Sequence, residues 1–290
     1  ALKKNIESQT KSKDGLAIFK KEGVVHNTAI MMLWLAESYY RIGKYEEMYS
    51  IVLEAEKILS GLNEHFREAK IEYFKGHYAL NNNDSETFLT HIENSIEKYN
   101  LAQNTTYEFI ALIDKLYILL DTNNLNKIES TISKLDSLKK RVQGLQDNIQ
   151  YISMQYYYAA KKGTLDRKLL DKWKEDLFSD KNLLKQNNIW IVFWFLARTY
   201  NLADEIQLAK ECHEKAKYCL NLFSENISGK EDRKSFFNVY FNQRIMEDIK
   251  TEAIKEDPEP ATSMFAFCPS CGFKNETSFA FCPSCGNDLK

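Results

Sequence analysis

Apolar residues along most of the chain recur at helical spacing, and small or polar residues interrupt them at regular intervals. Met32, Leu35, Tyr39 and Ile42 fall on one helical face, Met48, Val52, Ala55 and Leu59 on another, and Gly43 lies between the two sets. This pattern predicts a helix hairpin. The interruption repeats: Gly43, Asn83, Asn123, Gly163 and Asp204 stand 40, 40, 40 and 41 residues apart. Gly, Asn and Asp are the residue types that best tolerate the left-handed backbone at a helix C-terminus, so one turn geometry can serve all five. Two positions after each come Tyr45, Ser85, Leu125, Leu165 and Ile206; five after come Met48, Phe88, Ile128, Lys168 and Ala209. The fourth unit departs, because its apolar set Leu165, Leu169, Trp173 and Leu177 is slipped by about a residue. A lone hairpin cannot bury both faces of its helices, whereas stacked hairpins bury a continuous seam. The pattern therefore predicts an all-α fold, an α-solenoid of about five to six hairpins.

The individual units carry a family resemblance. Residues 35–59 place Leu35 and Ala36, then Tyr39, the turn residue Gly43, Tyr45 and Ala55 where tetratricopeptide repeats have comparable residues. Residues 196–220 repeat the arrangement with Leu196, Ala197, Tyr200, Asp204, Ala209 and Ala216. The middle three units match in periodicity and turn alone. The chain thus resembles a tetratricopeptide-repeat (TPR-like) protein, which implies a right-handed superhelix with an inner groove lined chiefly by the first helix of each hairpin. The period of 40 exceeds the usual ~34, implying helices roughly three residues longer; HEAT-type repeats have the right length and are the alternative.

One period before Gly43 is Lys3, so residues 5–20 sit where a second helix belongs with no first helix before it. Residues 1–23 are expected to be a partial repeat or a capping helix, and residues 24–250 the repeat domain. The truncated start suggests a C-terminal piece of a longer polypeptide; a native domain with an unpaired capping helix is the other reading. Ser228-Gly229-Lys230-Glu231 has the form of a capping box opening a last helix, the terminal cap, through about Lys250. The stretch 229–245 weakly resembles the close of tetratricopeptide regions in bacterial signalling proteins, where an ATPase or nucleotide-cyclase domain precedes them. Residues 251–264, acidic and Pro-containing, read as a linker.

Composition sharpens this division. All four prolines (Pro258, Pro260, Pro269 and Pro283) lie in the last 33 residues, and residues 1–257 hold eight glycines, where average usage would place roughly eighteen. Architectures that turn at many corners are excluded. Residues 1–250 carry 36 basic and 35 acidic side chains and residues 251–290 carry three and six, so neither part offers a basic surface to nucleic acid. The longest apolar run, residues 189–197, spans nine residues, less than half of the ~20 that a membrane helix requires. Without a signal-peptide pattern at the start, a cytoplasmic, reducing location is expected.

The remaining chemistry sits in the tail. The octapeptide FAFCPSCG occurs at 265–272 and again at 279–286, placing Cys268 and Cys271 in one Cys-x-x-Cys turn and Cys282 and Cys285 in a second. Two such turns let four thiolates converge on one cation, and a segment this short cannot bury enough apolar surface to fold alone. Residues 265–290 closely resemble small zinc-ribbon modules of the Cys-Pro-x-Cys-Gly type, which implies one structural Zn2+ with no open coordination position. Four cysteines also suit iron, and paired disulfides or a redox motif are weaker alternatives. Cys212 and Cys219, seven apart on one helix, are about 10 Å apart along its axis and are expected to be buried thiols. His26, His65, His77 and His91 show no ligand spacing and are expected to be solvent-facing or inter-helical, and the phosphate-loop pattern does not occur. The aromatic runs at 189–195 and 156–158 are expected to pack between helices.

Three functional expectations follow. The first is a non-catalytic protein-interaction scaffold that binds a peptide or protein partner, including a domain of the same parent polypeptide, with the ribbon as a second contact. The second is the regulatory arm of a larger signalling enzyme. The third, nucleic-acid binding through the ribbon, is disfavoured by charge.

Overall fold

The structure, a computed structural model, describes residues 2–256 apart from 142–144, 181, 184, 185, 187 and 228. The chain divides into two compact units, Ala1–Ile245 and Met246–Lys290. Among the described residues there are thirteen helices and no strand. They are α1 (Leu2–Glu22), α2 (Val25–Arg41), α3 (Tyr45–Leu59), α4 (His65–Asn81), α5 (Ser85–Leu101), α6 (Thr105–Asp121), α7 (Leu125–Lys139), α8 (Leu145–Lys161), α9 (Arg167–Ser179), α10 (Ile189–Leu202), α11 (Ile206–Glu225), α12 (Lys230–Phe237) and α13 (Tyr240–Glu256). The described residues are all-α, and their arrangement fits a helical repeat.

One turn geometry joins most of these helices. All five turn residues read from the sequence have positive φ: Gly43 at 74°, Asn83 at 61°, Asn123 at 56°, Gly163 at 69° and Asp204 at 58°. Gly23, Asn63 and Gln103, each 20 residues before one of the first three, are also left-handed, so from 23 to 123 the 40-residue period is two 20-residue modules. In seven turns the N–H of the residue after the left-handed one donates to the carbonyl five positions back, at 2.9–3.0 Å, as in Lys44 to Tyr39, Asp84 to Ala79, Asn104 to Tyr99 and Glu205 to Tyr200. That is the six-to-one bond of the Schellman motif. The same residue then caps the next helix: the carbonyls of Lys44, Asp84, Asn104 and Glu205 accept from Met48, Phe88, Glu108 and Ala209 at 3.0–3.1 Å. Asp84 and Asn104 add side-chain caps, accepting from Thr87 and Tyr107 N–H at 2.9 and 3.2 Å. Ending one helix and starting the next on a single residue leaves no slack in the chain, so consecutive helices must reverse direction and pack.

The packing follows the apolar pattern. Met48, Val52, Ala55 and Leu59 of α3 are buried as expected, and Met32, Leu35 and Ile42 of the preceding segment with them, while Tyr39 is half-buried. In the fifth hairpin Leu196, Ala197, Tyr200, Ala209 and Ala216 are all buried. The run 189–197 is buried on every side, which makes α10 a central helix enclosed by neighbours. The aromatic run of α8 also packs, with Tyr157 buried and the Tyr156 ring 5.3 Å from that of Trp173. No helix of the described residues is long and apolar enough to cross a membrane.

Two local expectations need revision. In α9 the buried side chains are Leu170 and Leu177, whereas Leu169 is exposed. Its link from α8 runs two residues beyond the turn, the cap being Asp166 rather than Thr164, the residue after Gly163, and this rotates the helix by about one position. The last helix is two. Gly229 caps α12 without a side-chain bond, Ser228 lies outside the described residues, and the backbone breaks at Asn238 and Val239. The buried Asn242 side chain stabilises the break, its Nδ2 donating to the Phe236 carbonyl at 2.8 Å.

The exposed Gln103 is an L-residue in left-handed backbone, where the steric cost is ~1–2 kcal/mol, partly offset by the entropy a glycine would lose on folding. Gln103→Gly should therefore stabilise the protein by about 0.5–1 kcal/mol, raising Tm by roughly 1–3 °C in thermal denaturation. Asn104→Ala should lower stability by about 1 kcal/mol in the same measurement.

Candidate functional site

The first helices of the hairpins, α2, α4, α6, α8 and α10, share an inner face. On α6 it reads Tyr107, Ile110, Asp114, Tyr117 and Asp121, spaced by three and four residues, so these five side chains form one stripe along the helix. On α4 the corresponding residues are Lys70, Tyr73, Phe74 and His77, and on α2 they are Glu37, Tyr40 and Arg41. Together with Gln150, Met154, Trp190 and Ile191 these helices line a cavity of about 390 Å³, within the ~300–1,000 Å³ range of ligand pockets.

Polar side chains on this face are organised in two clusters. Lys70 Nζ donates to Glu37 Oε2 at 2.7 Å, and Arg41 donates to the other oxygen at 2.6 Å. Burial raises the Glu37 pKa, but the Lys70 and Arg41 cations outweigh it and hold the carboxyl below its ordinary value. Lys70, itself buried, also lies 5.1 Å from the centre of the Tyr107 ring and 5.7 Å from that of Phe66. In the second cluster Asp114 Oδ2 accepts from Tyr73 at 2.5 Å and lies 3.1 Å from His77 Nε2. Tyr40 approaches both Tyr73 and His77 at 3.4 Å. Burial, with the Asp114 charge beside it, pushes the Tyr40 and Tyr73 hydroxyls well above their usual range.

The segment 230–245 crosses this face instead of closing the end of the stack. Asp232 pairs with Lys44 at 2.6 Å, and a Cβ on Gly43 would fall 2.2 Å from the Ser235 carbonyl oxygen, so α12 ends directly on the α2–α3 turn. Phe236 packs 5.8 Å from Trp190, whose indole Nε1 donates to Asn242 Oδ1 at 2.8 Å. The Phe241 ring sits 4.2 Å from Tyr117 and 6.3 Å from His77. At the far end of the α6 stripe the buried Asp121 carboxylate accepts from Arg198 at 3.2 Å, Tyr240 at 3.3 Å and Arg244 at 3.4 Å.

Cys268, Cys271, Cys282 and Cys285, and the zinc-ribbon expectation that rests on them, lie outside the described residues. Cys212 and Cys219 are buried free thiols, and burial pushes their pKa values up to about 12 and about 11. Among the described residues no group of three or more His, Cys, Asp or Glu is placed to hold a metal ion. His77 and His91 are inter-helical, the latter 2.8 Å from Glu72. The crossing segment was missed by sequence reasoning, which assigned it to a terminal cap. The signal was its aromatic density, with Phe236, Phe237, Tyr240 and Phe241 within six residues, more than a cap needs.

The chain matches no protein-family model and no curated protein sequence.

Glu37 has a folded pKa below its ordinary 4.5, so its stabilising contribution is complete above that range and is lost as pH falls through the folded value. In urea titrations from about pH 6 to pH 3, wild type should lose stability more steeply below about pH 4.5 than Glu37→Gln. Equal slopes would contradict the assignment.

Proposed function

We propose that the repeat domain is a non-catalytic protein-interaction scaffold of the tetratricopeptide type, a right-handed superhelix whose groove receives a peptide or protein segment. The observation that carries this reading is the α6 stripe with its neighbours on α4 and α2. It presents charged and aromatic side chains together on three neighbouring first helices, and a polypeptide segment already lies against it. Large aromatic and paired charged side chains around a concave surface are the composition of protein-recognition sites. The cytoplasm is the compartment proposed for this activity.

The tail is the second contact element. Cys268, Cys271, Cys282 and Cys285 would hold one structural Zn2+, which in comparable short modules contributes roughly 10–16 kcal/mol to folding. The duplicated FAFCPSCG supports this, since two equivalent knuckles supply four thiolates in tetrahedral arrangement. A second reading, the regulatory arm of a larger bacterial signalling enzyme, is favoured by the resemblance of residues 229–245, the same segment that crosses the groove.

Two measurements test these proposals. Partners captured by the full chain from its native cells should be lost at least tenfold by Ile110→Arg, at the half-buried rim of the cavity, with Tm within a few degrees of wild type. Retention by this variant, with loss on altering a surface remote from α6, would reject the groove. Metal analysis of the purified chain should find close to one zinc per chain, abolished by Cys268→Ser combined with Cys282→Ser. Metal-free protein with two disulfides would reject the ribbon.

A further inference from the structure

We infer that residues 230–245 are a displaceable resident ligand of the groove, and that the groove's partner is a segment of similar chemistry: helical, with two aromatic anchors and a basic residue for Asp121. The inference rests on the groove being the interaction site and deepens that reading by naming how it is occupied and by what it is opened.

The resident segment engages the groove at three points. Its acidic end pairs Asp232 with Lys44, its aromatic centre places Phe236 on Trp190 and Phe241 on Tyr117, and its basic end brings Arg244 to Asp121. Anchors of this kind, ring in pocket and charge on charge, are those by which an amphipathic helix docks in a groove. The segment is divided in two, a short helix followed by the opening turns of α13. α12 has eight residues, far below the ~12–15 at which an isolated helix becomes marginal in water, and it is broken from α13 at Asn238 and Val239.

The fit is incomplete in two respects. A cavity of about 390 Å³ remains between Phe236, Val239 and Phe241 on one side and the first helices on the other. The cavity is partly open to solvent, so this occupant leaves part of the face uncovered. Beneath Phe241, the Tyr117 hydroxyl is buried without a hydrogen-bond partner, an arrangement native cores avoid. A partner with bulkier side chains at the two aromatic positions, and a hydrogen-bond acceptor facing Tyr117, would satisfy both deficits and displace the resident segment. The Lys44–Asp232 pair at the acidic end is only partly buried, each side chain about a quarter exposed.

The test uses the full chain. By hydrogen exchange with peptide-level mass spectrometry, amides of residues 234–245 should exchange at least tenfold faster than those of α4 and α6, reporting an opening that leaves the stack folded. Exchange of all three at one rate, through global unfolding, would overturn the inference and needs no variant and no partner. In a second measurement a fluorescent peptide of residues 229–245 is titrated into wild type and into Phe236→Ala combined with Phe241→Ala, both changes lying in the segment and leaving the groove intact. The variant should bind at least tenfold more tightly than wild type, and Lys44→Glu added to the variant should weaken binding again. Equal binding by wild type and folded variant would overturn the inference. Rapid exchange of 234–245 alongside partner binding that ignores Ile110→Arg would instead reject the groove as the partner's site and leave the mobile segment standing.

Discussion

The turn on which one helix ends and the next begins constrains everything else in this chain. A left-handed residue terminates the first helix, and the residue after it both donates back into that helix and caps the following one. Where it leaves no free linker a helix must fold back on its predecessor, and from Gly23 to Asn123, where left-handed residues recur every 20 positions, the helices α2–α7 have 15–17 residues each. The side chains then need only supply an apolar stripe on each helix. Where the linkage lengthens, between α8 and α9, the register slips and Leu170 takes the place expected of Leu169.

Stacking in this way presents the same face of every first helix to one side, which is why charged residues can collect there without disrupting the core. Asp114 and Asp121 stand on α6 among Leu112, Leu116 and Leu119, yet both are hydrogen-bonded, because neighbouring helices and the crossing segment bring Tyr73, His77, Arg198 and Arg244 to them. Largely covered carboxylates, with 16% of the Asp114 and 7% of the Asp121 side chain exposed, are stabilised by such partners. The same face accommodates a segment from the far end of the unit.

Much of the fold was legible. The hairpin faces of α2 and α3, the central burial of α10 and five left-handed turns could be read directly, since each depends on residue types within a few positions. The intermediate turns were not. Gln103 is a residue type rarely found in left-handed backbone, and its conformation is imposed by the helices on either side rather than chosen locally. The stripe on α6 was overlooked for a related reason: Asp114 and Asp121 look solvent-facing on a single helix and acquire their meaning only from α4, α10 and α13.

By itself, then, the sequence determined the helical class, the repeat length, most of the turns and the core face of most helices, because periodicity and turn chemistry are local. It also set the four tail cysteines in two copies of one octapeptide, FAFCPSCG. The tertiary structure decided where residues 230–245 lie, and with them the composition of the groove. Trp190 and Asn242 are 52 positions apart and Asp121 and Arg244 are 123 apart. Nothing near either partner in sequence announces the other. Such pairings arise only when the stack has closed and one surface is left with unmet charge and aromatic area to cover.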